Sequence, residues 1–249
     1  LAIAPLLAAI GIPTILHGCK EVSPKFGHTL HKCLLEFNLN PTMPMEKVKT
    51  CLEQHTIGWG YIDQSVSFAQ LYRLEPCRKA IVKRPVLATI EKFMQPFYSS
   101  HRTCLVTGYT HPAYRKKTTT LLQRLPNCTD FTFFRGVEGS CILPLDRRCP
   151  VITQQKQQSL PTEGFVSPED MALSKSNIIQ PDRDITIGQT CQAITTALQD
   201  IDSDYSQWII YNALVILNQF NLMQPKTKQQ LESAITTGQA WKQFLAFNS

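Results

Sequence analysis

The residues best equipped for chemistry lie early in the chain. His17–Gly18 is followed by Lys20 and then by Ser23–Pro24–Lys25–Phe26–Gly27. An imidazole can orient a substrate ring by hydrogen bonding, and a lysine ammonium suits a phosphate as a point charge. Each also has a plainer role, His17 as the cap of a strand end and Lys25 as a solvated loop lysine. Two basic groups follow. Arg73, Arg78, Lys79, Lys83 and Arg84 form one, and Arg115, Lys116 and Lys117 with Arg124 form the other. Charge runs are usually a solvated face, but with a net charge of +6 these also suit the phosphates of a nucleic acid.

The elements that must position these groups can be read from hydrophobic spacing. The apolar run Leu1 to Ile10 reads as a helix closed by Gly11, and Ile12 to Leu16 reads as a short buried strand. His17 and Lys25 then fall in the loop leaving the carboxyl end of that strand, where open α/β sheets bind ligands. Leu30 to Phe37 and Met45 to His55 read as amphipathic helices. Ile57 to Ile62 reads as a strand whose glycines allow close backbone approach. Phe68 to Val82 reads as a helix interrupted at Pro76, and Pro85 to Phe93 as extended chain.

The clearest unit is Cys104–Gly108 as a strand, His111 to Leu125 as a helix with proline in its first turn, and Phe131 to Gly136 as a strand. Strand, helix, strand with short connections implies a parallel pair, a βαβ crossover over residues 104–136. His111 in that setting starts the helix and needs no further role. Gln154 to Glu163 is polar and reads as an exposed loop. The last segment is helical, with Ile187, Cys191, Ile194 and Leu198 on one face. Tyr205 to Leu222 is apolar nearly all round, and Leu231, Ala234, Ile235 and Leu245 lie on one side of Gln229 to Phe247. The fold class is therefore α/β, a sheet with flanking helices and a helical C-terminal segment. Residues 1–249 are expected to form a single α/β domain.

Composition narrows the class. Hydrophobic residues at 43% and charged residues at 18% belong to a globular protein with a full core. Nine cysteines without a Cys-x-x-Cys pair argue against a disulfide scaffold or a thiolate zinc site. Reduced thiols in a cytoplasm follow, most of them filling the core, with Cys19 in a loop as the one to test for reactivity. Leu1 to Ile10 is too short to span a bilayer, so no membrane partner is expected. The sequence opens on leucine inside a helix, which leads to the expectation that an N-terminal segment is missing.

The ordered motifs His17–Gly18, Ser23–Pro24–Lys25–Phe26–Gly27 and Glu75–Pro76–Cys77–Arg78–Lys79, then the βαβ unit and Arg135–Gly136–Val137–Glu138–Gly139–Ser140, resemble the anthranilate phosphoribosyltransferase superfamily over nearly the whole chain. The resemblance implies a small N-terminal helical domain, mostly missing from this sequence, and a homodimer. It implies a glycosyltransferase of tryptophan biosynthesis that moves ribose 5-phosphate from phosphoribosyl pyrophosphate to an aromatic amine or similar nitrogen. His17, Gly18, Lys25 and Arg78 would then bind substrate, Arg78 by a guanidinium fork on a carboxylate. Magnesium would be the cofactor.

The departures are specific. Leu16 and Cys19 stand where the family has lysine and asparagine, and its glycine-rich pyrophosphate loop would lie before residue 1. The family's Asp-Gly-x-Asp-Glu segment, whose last two carboxylates bind magnesium, is here Glu138–Gly139–Ser140–Cys141–Ile142. Glu138 is left as the one carboxylate, and magnesium wants several oxygen ligands. The alternative is a non-catalytic branch that keeps the fold and binds DNA or RNA without sequence preference. Thr110–His111–Pro112 with Val137–Glu138–Gly139–Ser140 resembles that branch. Lys79, Lys83, Arg84, Arg115, Lys116 and Lys117 would then carry the binding.

Overall fold

The computed structural model describes residues 1–20, 28–80, 87–125, 127–176 and 184–248. In chain order these form α1 (Ile3–Ala9), β1 (Thr14–Gly18), α2 (Leu30–Glu36), α3 (Met45–Glu53), β2 (Trp59–Asp63), the short helices α4 (Gln64–Ser67), α5 (Ala69–Tyr72), α6 (Glu75–Ala80) and α7 (Leu87–Ile90), then β3 (Cys104–Gly108), α8 (Ala113–Arg124) and β4 (Asp130–Phe134). They continue with β5 (Cys149–Gln154), β6 (Thr162–Val166), α9 (Ile187–Gln199), α10 (Asp204–Gln219), α11 (Thr227–Thr236) and α12 (Gln239–Leu245). Two compact units result. One comprises Leu1–Pro85, Ile179–Ala213 and Pro225–Ser249, the other Val86–Ile178 and Leu214–Gln224.

In the first unit β1 and β2 pair in parallel, with His17 opposite Ile62 and Gly18 opposite Asp63. Gly11 takes a φ of +84° after α1, the turn that a glycine makes without strain. Gly60 lets β2 lie against α3, since a Cβ there would stand 2.6 Å from Val48 Cγ1. The core is aromatic. Trp59 stacks on Phe244 at 5.6 Å between centroids, Phe37 meets Phe244 edge-on at 4.9 Å, and Trp59 Nε1 donates to the Gln243 carbonyl at 2.8 Å. Such pairs add roughly 0.5–1.5 kcal/mol each beyond the area they bury. Thr186 caps α9 by a reciprocal exchange: its hydroxyl accepts from Gln189 N at 3.2 Å, and its own N–H donates to Gln189 Oε1 at 2.8 Å.

In the second unit β3 and β4 are parallel, β5 and β6 follow antiparallel, and the strand order is β3-β4-β5-β6. The βαβ unit over 104–136 is present, with α8 joining the parallel pair. Phe131, Phe133, Leu122, Leu105, Ile152, Tyr109 and Phe93 make one buried cluster. Arg102 spans strand ends, donating to Asp130 Oδ1 from Nη2 at 2.7 Å and to the Phe220 carbonyl from Nη1 at 2.9 Å.

Six expectations need correction. His17, expected in the loop after the first strand, lies inside β1, because Pro13 has no N–H to pair and the ladder with β2 runs on to Gly18 and Asp63. The helix expected to break at Pro76 breaks before it, at Arg73 and Leu74, since proline is tolerated in the first turn of α6. Residues 87–93, expected as extended chain, form α7 and a turn at Glu91–Phe93, because burying Phe93 outweighs the signal of Pro85. The polar stretch 154–163 is a loop only between its ends, since β5 runs to Gln154 and β6 starts at Thr162. Leu245 is exposed, because Gly238 at a φ of +71° breaks the last segment and turns α12 away from the face of α11. Cys19, expected as the loop thiol to test for reactivity, is buried.

Candidate functional site

At the carboxyl end of β1 and β2 the first unit holds a buried polar cluster. His31, on α2, donates from Nδ1 to Asp63 Oδ2 at 2.7 Å, and both side chains are buried. Asp63 Oδ1 also accepts from Ser65 N at 2.8 Å and so caps α4. Tyr61 points its hydroxyl at Gly18, where a Cβ would come within 3.2 Å of that oxygen. Neither Tyr61 Oη nor His17 Nδ1 has a hydrogen-bond partner among the described residues. Burial lowers the His17 pKa to about 4, so its imidazole is neutral at pH 7. Burial, and next the charge of Asp63, push the Tyr61 phenol up. The cluster can exchange hydrogen bonds with a polar or ring-bearing group; burial keeps the His17 imidazole and the Tyr61 phenol neutral, so neither is an activated nucleophile.

The carboxyl end of β3 and β4 is closed. Residues 136–142 fold back over it, with Val137 N donating to the Ile142 carbonyl at 2.7 Å and Ser140 N to the Val137 carbonyl at 2.9 Å. A Cβ on Gly108 would fall 1.9 Å from the Ser140 carbonyl oxygen and one on Gly136 2.3 Å from it, so both positions need glycine. Lys92 Nζ donates to the Gly139 carbonyl at 2.7 Å and to the Gly108 carbonyl at 3.3 Å. This segment does not fit magnesium. Its expected ligand positions carry Cys141 and Ile142, and a lysine ammonium already sits on two of the nearby carbonyls. Glu138 lies in the turn Val137–Gly139, where its backbone alone is described.

The remaining sequence-based candidates divide sharply. Lys25, Lys83 and Arg84 lie outside the described residues, and Arg78 and Lys79 are placed on α6 by backbone only. Arg115 is committed, forming an ion pair with Glu163 of β6. Lys116, Lys117 and Arg124 are exposed on α8, with no acidic partner among the described residues. His111 precedes that helix and its carbonyl accepts from Tyr114 N at 2.9 Å, the helix-starting role expected of it. Sequence reasoning missed His31, Asp63, Tyr61 and Lys92. A histidine on the apolar face of Leu30 to Phe37, and an aspartate ending a buried strand, were visible signals. Lys92 had none, because its two carbonyl partners lie 16 and 47 residues away.

A polar cleft of about 670 Å³ opens at the other end of β3 and β4, lined by residues that include Tyr98, His101, Arg102, Asp130 and Lys156. Its arginine is spent on Asp130 and the Phe220 carbonyl, which leaves no fixed fork for a ligand.

This geometry has solved counterparts. Anthranilate phosphoribosyltransferase from Thermus thermophilus superposes with a TM-score of 0.73 over 99% of this chain and 71% of its own, at 16% identity. The enzyme from Saccharomyces cerevisiae, in complex with PRPP and Mg, gives 0.77 over 99% of this chain and 67% of its own, at 12% identity. The fold is that of the anthranilate phosphoribosyltransferases. No protein-family model matches the sequence. A curated relative from Aquifex aeolicus (strain VF5), described as an uncharacterized protein, is 25% identical over 216 residues, 85% of this chain. The chain spans 60% of that relative's length. Among the described residues no helix is long and apolar enough to cross a membrane.

Proposed function

We propose that residues 1–249 act as one α/β domain of the anthranilate phosphoribosyltransferase fold that binds nucleic acid without sequence preference and performs no metal-dependent transfer. The observation that carries this reading is the basic face of α8, where Lys116, Lys117 and Arg124 stand exposed without acidic partners among the described residues. From Lys116 to Arg124 the helix rises about 12 Å, so the three cations can follow several consecutive phosphates. The closed strand ends and the absent carboxylate pair support the loss of magnesium chemistry. Arg115, engaged by Glu163, is not counted in this face.

The second reading is a phosphoribosyltransferase using PRPP and an aromatic amine, favoured by the neighbours of known structure and by His17–Gly18 at a strand's carboxyl end. There His17 and Tyr61, both neutral, would orient the acceptor ring by hydrogen bonds. Fluorescence anisotropy with labelled single strands and duplexes of unrelated sequence separates the two. Comparable affinities across sequences, undisturbed by millimolar PRPP when magnesium and ionic strength are held constant, are expected. Binding that PRPP displaces, or an absence of nucleic-acid binding at low salt together with product formation from anthranilate, favours the enzyme.

A further inference from the structure

We propose that Lys92 is the resident cation of the 137–142 loop, closing the carboxyl ends of β3 and β4 in place of a divalent metal. The loop gathers carbonyl oxygens at one point. Gly139 and Gly108 both turn theirs to Lys92 Nζ, at 2.7 and 3.3 Å, and the lysine is half-buried there. Converging backbone carbonyls repel one another unless a positive charge stands between them, and charge-assisted hydrogen bonds are roughly twice as strong as neutral ones. Lys92 is anchored to this position by its neighbours in sequence, since Glu91 and Phe93 on either side are both buried. The glycines at 108, 136 and 139 then allow the backbone to close onto the strand ends, Gly139 at a φ of +78°. A side chain covalently tied to the chain needs no cofactor supply, and its charge opposes entry of a second cation. This inference stands apart from nucleic-acid binding, because α8 contributes nothing to it.

The test is amide hydrogen exchange of the full chain by mass spectrometry, for the parent, Lys92→Met and Lys92→Gln, with manganese titration of each followed by electron spin resonance. In both variants the amides of Val137, Gly139 and Ser140 should exchange at least about tenfold faster. Those of β4 and β5 should keep the parent's protection. The parent should show no saturable manganese binding below millimolar concentration, and neither manganese nor chelator should change its loop exchange. Should Lys92→Met fail to fold, Lys92→Gln, which keeps length and polarity, carries the exchange measurement. If both fail, the parent's manganese titration and its response to chelator decide. Unchanged loop exchange in a folded variant, or a manganese site in the parent tighter than about 100 μM that slows loop exchange, would overturn the proposal.

Discussion

His17 shows how a single residue's setting decides its chemistry. Its imidazole is neutral because burial lowers its pKa to about 4, whereas an unfolded histidine titrates near 6.5. Between these values the unfolded chain binds the extra proton, so stability is full above pH 6.5 and falls as pH drops toward 4. The loss is at most about 3 kcal/mol. Urea unfolding across that range should show this slope in the parent and a flatter one in His17→Asn; equal slopes would mean that His17 is solvated. Asp63 acts by a different route, as partner of His31 and cap of α4 at once. Asp63→Ala should cost about 2–4 kcal/mol by leaving a buried histidine unpaired and a helix uncapped. A loss under 1 kcal/mol in denaturant titration would show that the pair contributes little.

At the scale of elements, the tightest constraint is the loop over β3 and β4. Gly108→Ala sets a methyl 1.9 Å from a carbonyl oxygen of the backbone, which cannot rotate away as a side chain could. Overpacking of that kind costs about 1–3 kcal/mol or more, read as a lower thermal midpoint. Gly60→Ala meets only the end of Val48 and should cost less. The elements that the sequence revealed were those with strong periodicity and clean boundaries. Helix α10 was legible from its apolar surface, and β3, α8 and β4 from glycine and proline punctuation. Strand β5 was not, because Pro150 interrupts it, nor β6, whose residues are exposed up to Val166. Helix α7 was hidden because proline suits both a helix start and extended chain. The pairing of His31 with Asp63 joins residues far apart in sequence, and only the parallel register of β1 and β2 brings Gly18 level with Asp63.

For the molecule as a whole, the proposed function makes phosphates, rather than a small substrate, the partner of its exposed basic surface. Binding through phosphates releases counterions, so log affinity falls linearly with log salt, by about 0.7 per single-strand phosphate neutralised and about 0.9 per duplex phosphate. The decisive measurement is this slope for a single strand of fixed length, compared between the parent and a triple variant with Lys116, Lys117 and Arg124 each replaced by alanine. The parent should bind at low salt with a slope of about −2 or steeper, and the variant should lose up to roughly two units of it, weakened alike for every sequence. A parent that does not bind at low salt, or a variant whose slope matches the parent's, would rule out phosphate binding by this face.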